Sequence, residues 1–526
     1  MDARLRVLTT YKLLNNSRYF RLRLCAGGIA AGVLAGVVIS GFRLALVAAN
    51  NLRLNWQDML FAGGVTTQAA LLWLGALLAA AAVLTLLAKA EPQAAGSGIP
   101  QVKGAVLGVF KLRWLRILAV KFAACTVAIG SGLSLGRAGP SIQMGAMAGQ
   151  GISRLLARPR IEERYLISGG AAAGLAAVFN APLAGVIFVL EEINHNFSGF
   201  LLFPVLSASV AATVTSRLIL GRDTVFDFTG LPFLQFSDYG VVIAAGVICG
   251  VLGLVFNYGL LNAARLYKLL PQNALIQNFI LLLITTAVGF CLPEALGGGD
   301  DLLTDTAFNS YPVTALLLFL AAKVVLTLLA FGRGLPGGAF IPTLVTGGII
   351  GGIMAGVCTQ LGILSPAYKA NLVVLAMAAF FTASVRTPIT ATVLVMEMTG
   401  SFMHLLPLAL ASLTAFATTE LWRAKPLYGE LFMRLLKNTK TLERNHAEQE
   451  RSITELTVDT GSAADGRLVR EVNWPRHTLL VDVKRGGEEL IPEGNTRLHS
   501  GDTLYVLCYP TEIGELETLT TQPKQK

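Results

Sequence analysis

Charge is scarce in this chain. Asp, Glu, Lys and Arg make up 14% of its 526 residues, hydrophobic residues make up 54%, and the mean hydropathy is +0.61. A water-soluble surface needs more charge than that, so much of the exterior must face lipid. Histidine is rarer still, with five residues, and the six cysteines, Cys25, Cys125, Cys249, Cys291, Cys358 and Cys508, stand singly in apolar stretches. They make no metal-ligand spacing and read as small buried hydrophobes rather than disulfide or metal partners. The apolar stretches also lack a nucleophile–base pair and any His/Asp/Glu cluster, which argues against a membrane-embedded enzyme. No metal and no cofactor is expected. The first twenty residues lack the apolar core and small-residue cleavage site of a secretory signal, so their removal is not expected.

What the chain has in abundance is apolar length. Segments at about 25–47, 69–88, 115–131, 201–220, 241–261, 279–292, 314–330 and 403–421 approach the roughly 20 residues that cross a bilayer, or fall short of it where Gly or Pro interrupts. Broken helices are tolerated only where protein or a water-filled cavity satisfies the freed backbone. The net charge of +10 reads as a topology signal, with no nucleic-acid partner expected. Arg4, Arg6, Lys12, Arg18, Arg21 and Arg23 precede the first segment with Asp2 alone against them, and Arg423, Lys425, Arg434, Lys437 and Lys440 follow the last. Both ends therefore read as cytoplasmic, and the connections bearing Asp223, Asp227 and Asp238, and Glu294, Asp300, Asp301 and Asp305, read as external.

Three glycine-rich signatures are embedded in this apolar frame: Gly96-Ser97-Gly98-Ile99-Pro100, Gly136-Arg137-Ala138-Gly139-Pro140, and Gly337-Gly338-Ala339-Phe340-Ile341-Pro342. A tyrosine, Tyr428, follows in Lys425-Pro426-Leu427-Tyr428. An anion taken into a low-dielectric interior loses hydration worth tens of kcal/mol on an idealised estimate, so the protein must supply donors in its place. Full positive charges would hold the ion too tightly for release. Helix N-termini meet both demands, because their first N–H groups lack intrahelical partners and the helix dipole places roughly half a positive charge there. Glycine lets backbone approach the ion, and proline is tolerated in a first helical turn. Any one signature could be a turn or a packing face; three in one chain point to an ion path.

In their order these signatures, with Tyr428 downstream, resemble the CLC family of chloride channels and chloride/proton antiporters. The resemblance covers roughly residues 15 to 440. It implies an all-α polytopic membrane protein of the CLC fold, with two inverted repeats and broken helices, working as a homodimer with a pore in each subunit. A repeat is visible in the sequence itself: 180–191, Asn-Ala-Pro-Leu-Ala-Gly-Val-Ile-Phe-Val-Leu-Glu, lies over 386–397, Arg-Thr-Pro-Ile-Thr-Ala-Thr-Val-Leu-Val-Met-Glu. Pro182 matches Pro388 and Glu191 matches Glu397, giving a unit of about two hundred residues.

By resemblance, the Ser97 hydroxyl and Tyr428 phenol donate to a central chloride in the signature that also holds Gly98 and Ile99, and the N–H groups of Ala339, Phe340 and Ile341 complete the coordination. Serine at 97 favours chloride, since nitrate-preferring members tend to carry proline there and the fluoride-exporting branch departs from both the serine and the tyrosine. Arg137 is a candidate for attracting anions or for bonding helix-end carbonyls. Family members ordinarily carry a glutamate where this chain has Ala138; it gates the outer anion site and carries the proton. Ala138 can do neither. Glu192 matches the inner proton-transfer glutamate of the antiporters, although a helix-end acid reaching water is an alternative reading of the residue. Glu191 and Glu397 read as structural. The resemblance thus implies chloride transport on an antiporter scaffold whose coupling step is missing, with protons joining only if the glutamate is restored. A transporter for another anion, or an accessory subunit of ion homeostasis, are the competing readings.

Composition shifts after Tyr428. The expected organisation is a cytoplasmic basic segment 1–23, a transmembrane domain 24–435, a polar linker 436–451 with Lys437, Lys440, Glu443, Arg444, Glu448 and Glu450, and a small α+β domain 452–526. Residues 480–485 alternate as a strand ended by Gly486-Gly487, and 503–508 read as another, preceded by His499-Ser500-Gly501-Asp502. With Leu490-Ile491-Pro492 between them, this pattern resembles the TrkA-C, or RCK-C, ligand-sensing domains of bacterial ion transporters. That implies a bacterial inner membrane, and a domain that senses a small ligand, contacts its dimer mate or simply caps the chain.

Overall fold

The computed structural model describes residues 17–61, 66–221, 226, 228, 230–309, 311–443, 452–486, 488–509 and 512–522. Asp2, Arg4, Arg6, Lys12, Asp223, Asp227, Arg444, Glu448, Glu450 and Gly487 lie outside the described residues, as do the side chains of Arg18, Lys440 and Glu443.

Helix α1 (Ser17–Phe61) runs for 45 residues, roughly 68 Å at 1.5 Å per residue. The apolar run expected at 25–47 is only its middle. Its polar extension contains neither Gly nor Pro, and the Arg53 guanidinium donates to Asn50 and Gln57 along the helix. The first half continues with α2 (Thr67–Ala90), α3 (Ile99–Val106), α4 (Trp114–Gly130), α5 (Ala138–Leu155), α6 (Arg160–Phe179), α7 (Pro182–Phe188) and α8 (Gly199–Leu220). The second half holds α9 (Tyr239–Asn262), α10 (Ala274–Cys291), α11 (Asp300–Phe308), α12 (Val313–Gly332), α13 (Phe340–Gln360), α14 (Lys369–Val385), α15 (Pro388–Thr399) and α16 (Leu405–Leu421), followed by α17 (Leu427–Glu443). Among the described residues, nine helices are long and apolar enough to cross a membrane.

The two halves are built alike. In the first, α5 packs on α6 and α1 and α6 pack on α8; in the second, α13 packs on α14 and α9 and α14 pack on α16. Gly136 and Gly338 exchange backbone hydrogen bonds of 2.5 and 3.0 Å as an antiparallel bridge. They stand at matching places in the two signatures, so the pairing places a dyad between them and runs the halves in opposite directions. Gly337 N–H donates to Gly96 O at 3.0 Å and Gly96 N–H to Gly334 O at 3.1 Å, while Gly297 N–H donates to Gly132 O at 2.9 Å across the dyad.

Glu191 and Glu397 complete the symmetry. The Glu191 carboxylate accepts from Ile389 N, Thr390 N and Thr390 Oγ1 at the start of α15. Glu397 accepts from Leu183 N and Ala184 N at the start of α7. Each half caps the short helix of the other, where anionic charge is favoured by the helix dipole. In the core, α5 and α6 are in backbone contact: a Cβ on Gly145 would meet Gly170 O at 2.2 Å, and one on Gly174 would meet Ser141 O at 2.1 Å. Such close approach of small residues is how apolar helices pack without a hydrophobic driving force between them.

The C-terminal residues form a four-stranded sheet of order β1-β4-β2-β3, with β1 (Ser452–Thr457), β2 (Leu479–Arg485), β3 (Glu488–Leu490) and β4 (Thr503–Cys508), covered by helix α18 (Ile513–Thr521). All pairings are antiparallel. Leu504, Val506 and Cys508 alternate inward along β4 and are buried with Val483, Leu456 and Leu516. Arg485 closes on Asp502 with two contacts of 2.7 Å. Burial would raise the Asp502 carboxyl, but the hydrogen bonds from Arg485 and from the His499 N–H outweigh it and hold the group below its usual value. A lowered folded-state value means stability present at neutral pH and lost as pH falls through that value. Asp502→Asn should therefore lower the melting temperature of the domain's transition at pH 7 and flatten its acid dependence below about pH 4. A wild-type acid profile in the variant would remove Asp502 as the cause.

Candidate functional site

The three signatures meet at the dyad. Gly98 is the left-handed residue (φ 90°) that turns the chain into α3, and a Cβ there would strike Gln143 Cβ at 2.6 Å. Gln143 in turn donates from Nε2 to Gln93 O at 2.9 Å, pinning α5 to the loop before Ser97. A Cβ on Gly139 would meet Ser97 O at 2.7 Å, and one on Gly136 would meet Ile341 N at 2.9 Å. The N-termini of α3, α5 and α13 are thus drawn together by glycines that leave no room for side chains, with Pro100 in the first turn of α3 and Ala339 capping α13.

Ser97, Ile99, Ala138, Ala339, Phe340, Ile341 and Tyr428 are all buried. The Ser97 Oγ is buried with no hydrogen-bond partner among the described residues. A hydroxyl held from water in that state costs about 1–3 kcal/mol unless something else bonds it. The Phe340 ring lies among Phe179, Phe188 and Phe381, with centroids 4.5–6.1 Å away, so its side chain anchors α13 while its backbone heads the helix. Tyr428, at the start of α17, packs through that helix against α3 and lies within electrostatic reach of Glu192.

Glu192 is buried on a π-helical turn, Val189–Ile193, that follows α7. The extra residue of a π-turn rotates side chains relative to a regular helix, and such turns gather at functional sites. The adjacent acids have different surroundings: Glu191 caps α15, while Glu192 lies within electrostatic reach of Lys103. The charged end of Arg137 is taken up by an ion pair: its Nη1 lies 3.1 Å from Asp300 Oδ2 at the start of α11. That ion pair is a further option that the spacing of the two residues in the sequence does not show.

Residues 75–420 match the family model described as Voltage gated chloride channel. The chain belongs to this family. It is similar to the H(+)/Cl(-) exchange transporter ClcA of Vibrio cholerae serotype O1, with 36% identity over 79% of this chain and 90% of that protein. The like-named protein of Vibrio vulnificus is 34% identical over 80% of this chain and 91% of its own length. Among solved structures, a slow cyanobacterial Cl-/H+ antiporter matches with a TM-score of 0.74 and 30% identity, covering 80% of this chain and 99% of that one. A eukaryotic CLC transporter shares the fold at a TM-score of 0.66 and 23% identity, covering 78% of this chain and 74% of its own. Residues 453–520 match the TrkA-C domain. The protein is thus a multi-pass membrane protein of the CLC fold carrying a TrkA-C domain.

Three buried lysines, Lys103, Lys121 and Lys323, escaped the sequence reading, and the last two play matching parts in the two halves. Lys121 in α4 donates to Ala94 O and Gly96 O at 2.9 and 2.6 Å, and Lys323 in α12 donates to Ala295 O and Gly297 O at 3.2 and 2.7 Å. Each ties down the loop before a short helix, α3 or α11, in its own half. The signal was present: Pro92-Gln93-Ala94-Ala95-Gly96-Ser97-Gly98 repeats as Pro293-Glu294-Ala295-Leu296-Gly297-Gly298-Gly299. The second copy has Gly298 where the first has Ser97, so the hydroxyl exists on one side of the dyad alone.

Proposed function

We propose that this protein moves chloride across a bacterial inner membrane on an antiporter scaffold, passively and without proton coupling, as a homodimer with both termini cytoplasmic. The observation that carries the reading is the unpartnered, buried Ser97 Oγ among three converging helix N-termini. Donors without partners, supplied by neutral groups, suit an anion that must bind and leave. In this reading Ser97, with Gly98 and Ile99 behind it, and Tyr428 donate to the ion together with the N–H groups of Ala339, Phe340 and Ile341. Relatives named as H(+)/Cl(-) exchangers supply the choice of ion. Glu192 remains as the inner half of a proton route, and Ala138, fully buried and without a titratable group, leaves the outer half empty.

The proposed dimer face lies on α7, α8, α15 and α16, where Leu183, Val214, Leu218, Ile389 and Leu413 stand exposed on the single chain. Chloride efflux from liposomes holding only this chain tests the function. An accessory subunit would give none, and a transporter for another anion would pass that ion faster than chloride. A chain ending near Asn445 should still dimerise and conduct, because every proposed anion donor precedes it. A truncated protein that is folded by circular dichroism but monomeric and inactive would make the TrkA-C domain part of the core assembly.

A further inference from the structure

A lysine buried in the membrane domain finds a counter-ion on the C-terminal domain. Lys103 lies one turn into α3, downstream of Ser97, with its side chain 7% exposed. Its Nζ is 2.9 Å from His195 Nε2, 3.5 Å from Glu517 Oε1 on α18, and 5.7 Å from the centroid of the Phe432 ring on α17. A buried ammonium is costly unless paired. The imidazole accepts a hydrogen bond from the ammonium without bringing charge, so neutralisation falls to carboxylates: Glu517 in direct contact, and Glu192 within electrostatic reach of both.

The domain is held in place for this contact. Asn196 Nδ2 donates to Glu455 Oε1 at 3.0 Å, Arg164 Nη1 to Ile453 O at 3.3 Å, and Val109, just past α3, packs into the core of the sheet domain. Glu517 pays for the seat: its Oε2 is buried with no hydrogen-bond partner among the described residues. A carboxylate oxygen stripped of water favours release unless the lysine holds it, which makes the contact one that a small change in docking can break.

Resting on the chloride-transport reading above, we infer that Lys103 is an ion-handling residue at the inner approach to the anion site, and that Glu517 is a positioning residue by which the TrkA-C domain masks its charge. With the domain docked, the Lys103 ammonium is shared with Glu517, and a negative charge stands beside Glu192. With Glu517 withdrawn, Lys103 turns its charge toward Glu192 and toward incoming chloride. The domain thereby sets the electrostatic potential at one mouth of the path without touching the anion donors.

The test is initial chloride efflux from liposomes holding the full chain, at low ionic strength and again with impermeant gluconate salt raised to 1 M. Glu517→Gln should speed efflux roughly threefold at low salt, since an unbalanced charge at a cleft concentrates counter-ions. The gain should vanish at high salt, where the Debye length is about 3 Å. Lys103→Met should slow efflux, and Glu517→Gln should add nothing in that background. Equal efflux in Glu517→Gln and parent at low salt overturns the inference, as does a gain that persists in Lys103→Met or at high salt, which would mark Glu517 as merely structural. A parent chain that passes no chloride overturns the transport reading and the masking role together. The Lys103–Glu517 pairing is then decided by a double-mutant cycle on melting temperature, in which additive effects reject it.

Discussion

Replacing Ala138 by glutamate is expected to convert passive chloride movement into exchange, with a chloride gradient driving protons uphill. The expectation rests on position. Ala138 opens α5, is fully buried, and is followed by Gly139, whose Cα sits against the Ser97 backbone. A carboxylate there would lie at a helix N-terminus, where the dipole favours negative charge, and so would compete with chloride for the outer part of the path. Protonated, it loses that attraction and can turn away, carrying the proton past an anion that takes its place. A competitor worth about 1.4 kcal/mol slows passive flux tenfold, so chloride movement by Ala138→Glu at high pH should fall by roughly that factor or more. Adding Glu192→Gln should abolish proton pumping while leaving chloride movement. The parent should show chloride flux that ignores a proton gradient. Robust uphill pumping by the parent would sink the proposal, and so would an Ala138→Glu protein that conducts chloride but never pumps.

Much of this arrangement was legible in the sequence, for physical reasons. The signatures declare themselves because a helix N-terminus aimed at an ion needs glycine for approach and proline for a clean start, and few other functions call for the pattern three times. The Pro182–Glu191 repeat was readable because the two glutamates cap each other's helices, so both copies had to keep the acid as well as the proline. Hydropathy found the lipid-facing helices, passed over α13 and α14, which are apolar enough to cross a membrane but mostly buried, and did worst with α5 and α6. Those are interior helices rich in Gly and Ala, buried on nearly all sides, whose composition resembles neither a lipid-facing span nor a loop. Burial of charge was the least legible. Lys121 and Lys323 sit in runs that read as ordinary membrane spans, and their carbonyl partners lie across breaks in the chain that spacing does not register. Glu162, buried against Arg23 and Arg158, and the π-turn under Glu192 belong to the same class of facts, which depend on what comes near in space.

The anion donors give the other large expected effect. Ser97→Ala together with Tyr428→Phe should weaken chloride binding by two charge-assisted hydrogen bonds, each worth about 1.5–3 kcal/mol, or together roughly a hundredfold or more in affinity. These substitutions isolate binding from folding. The Ser97 Oγ has no hydrogen-bond partner among the described residues, so its removal should break no internal hydrogen bond, and the fold should gain slightly by losing a desolvated hydroxyl. Phenylalanine keeps the ring of Tyr428, which is among the largest fully buried side chains and sits in the main core cluster; alanine there would open a cavity costing about 3–5 kcal/mol and confuse the result. Chloride affinity by calorimetry should therefore fall in the double variant while its melting temperature without chloride is held or rises. Stabilisation by added chloride should shrink in parallel, since a ligand stabilises only in proportion to its binding. If affinity is unchanged in a double variant that melts normally, the ion lies elsewhere, and the N–H groups of Ala339, Phe340 and Ile341 lose their proposed role with the two hydroxyls.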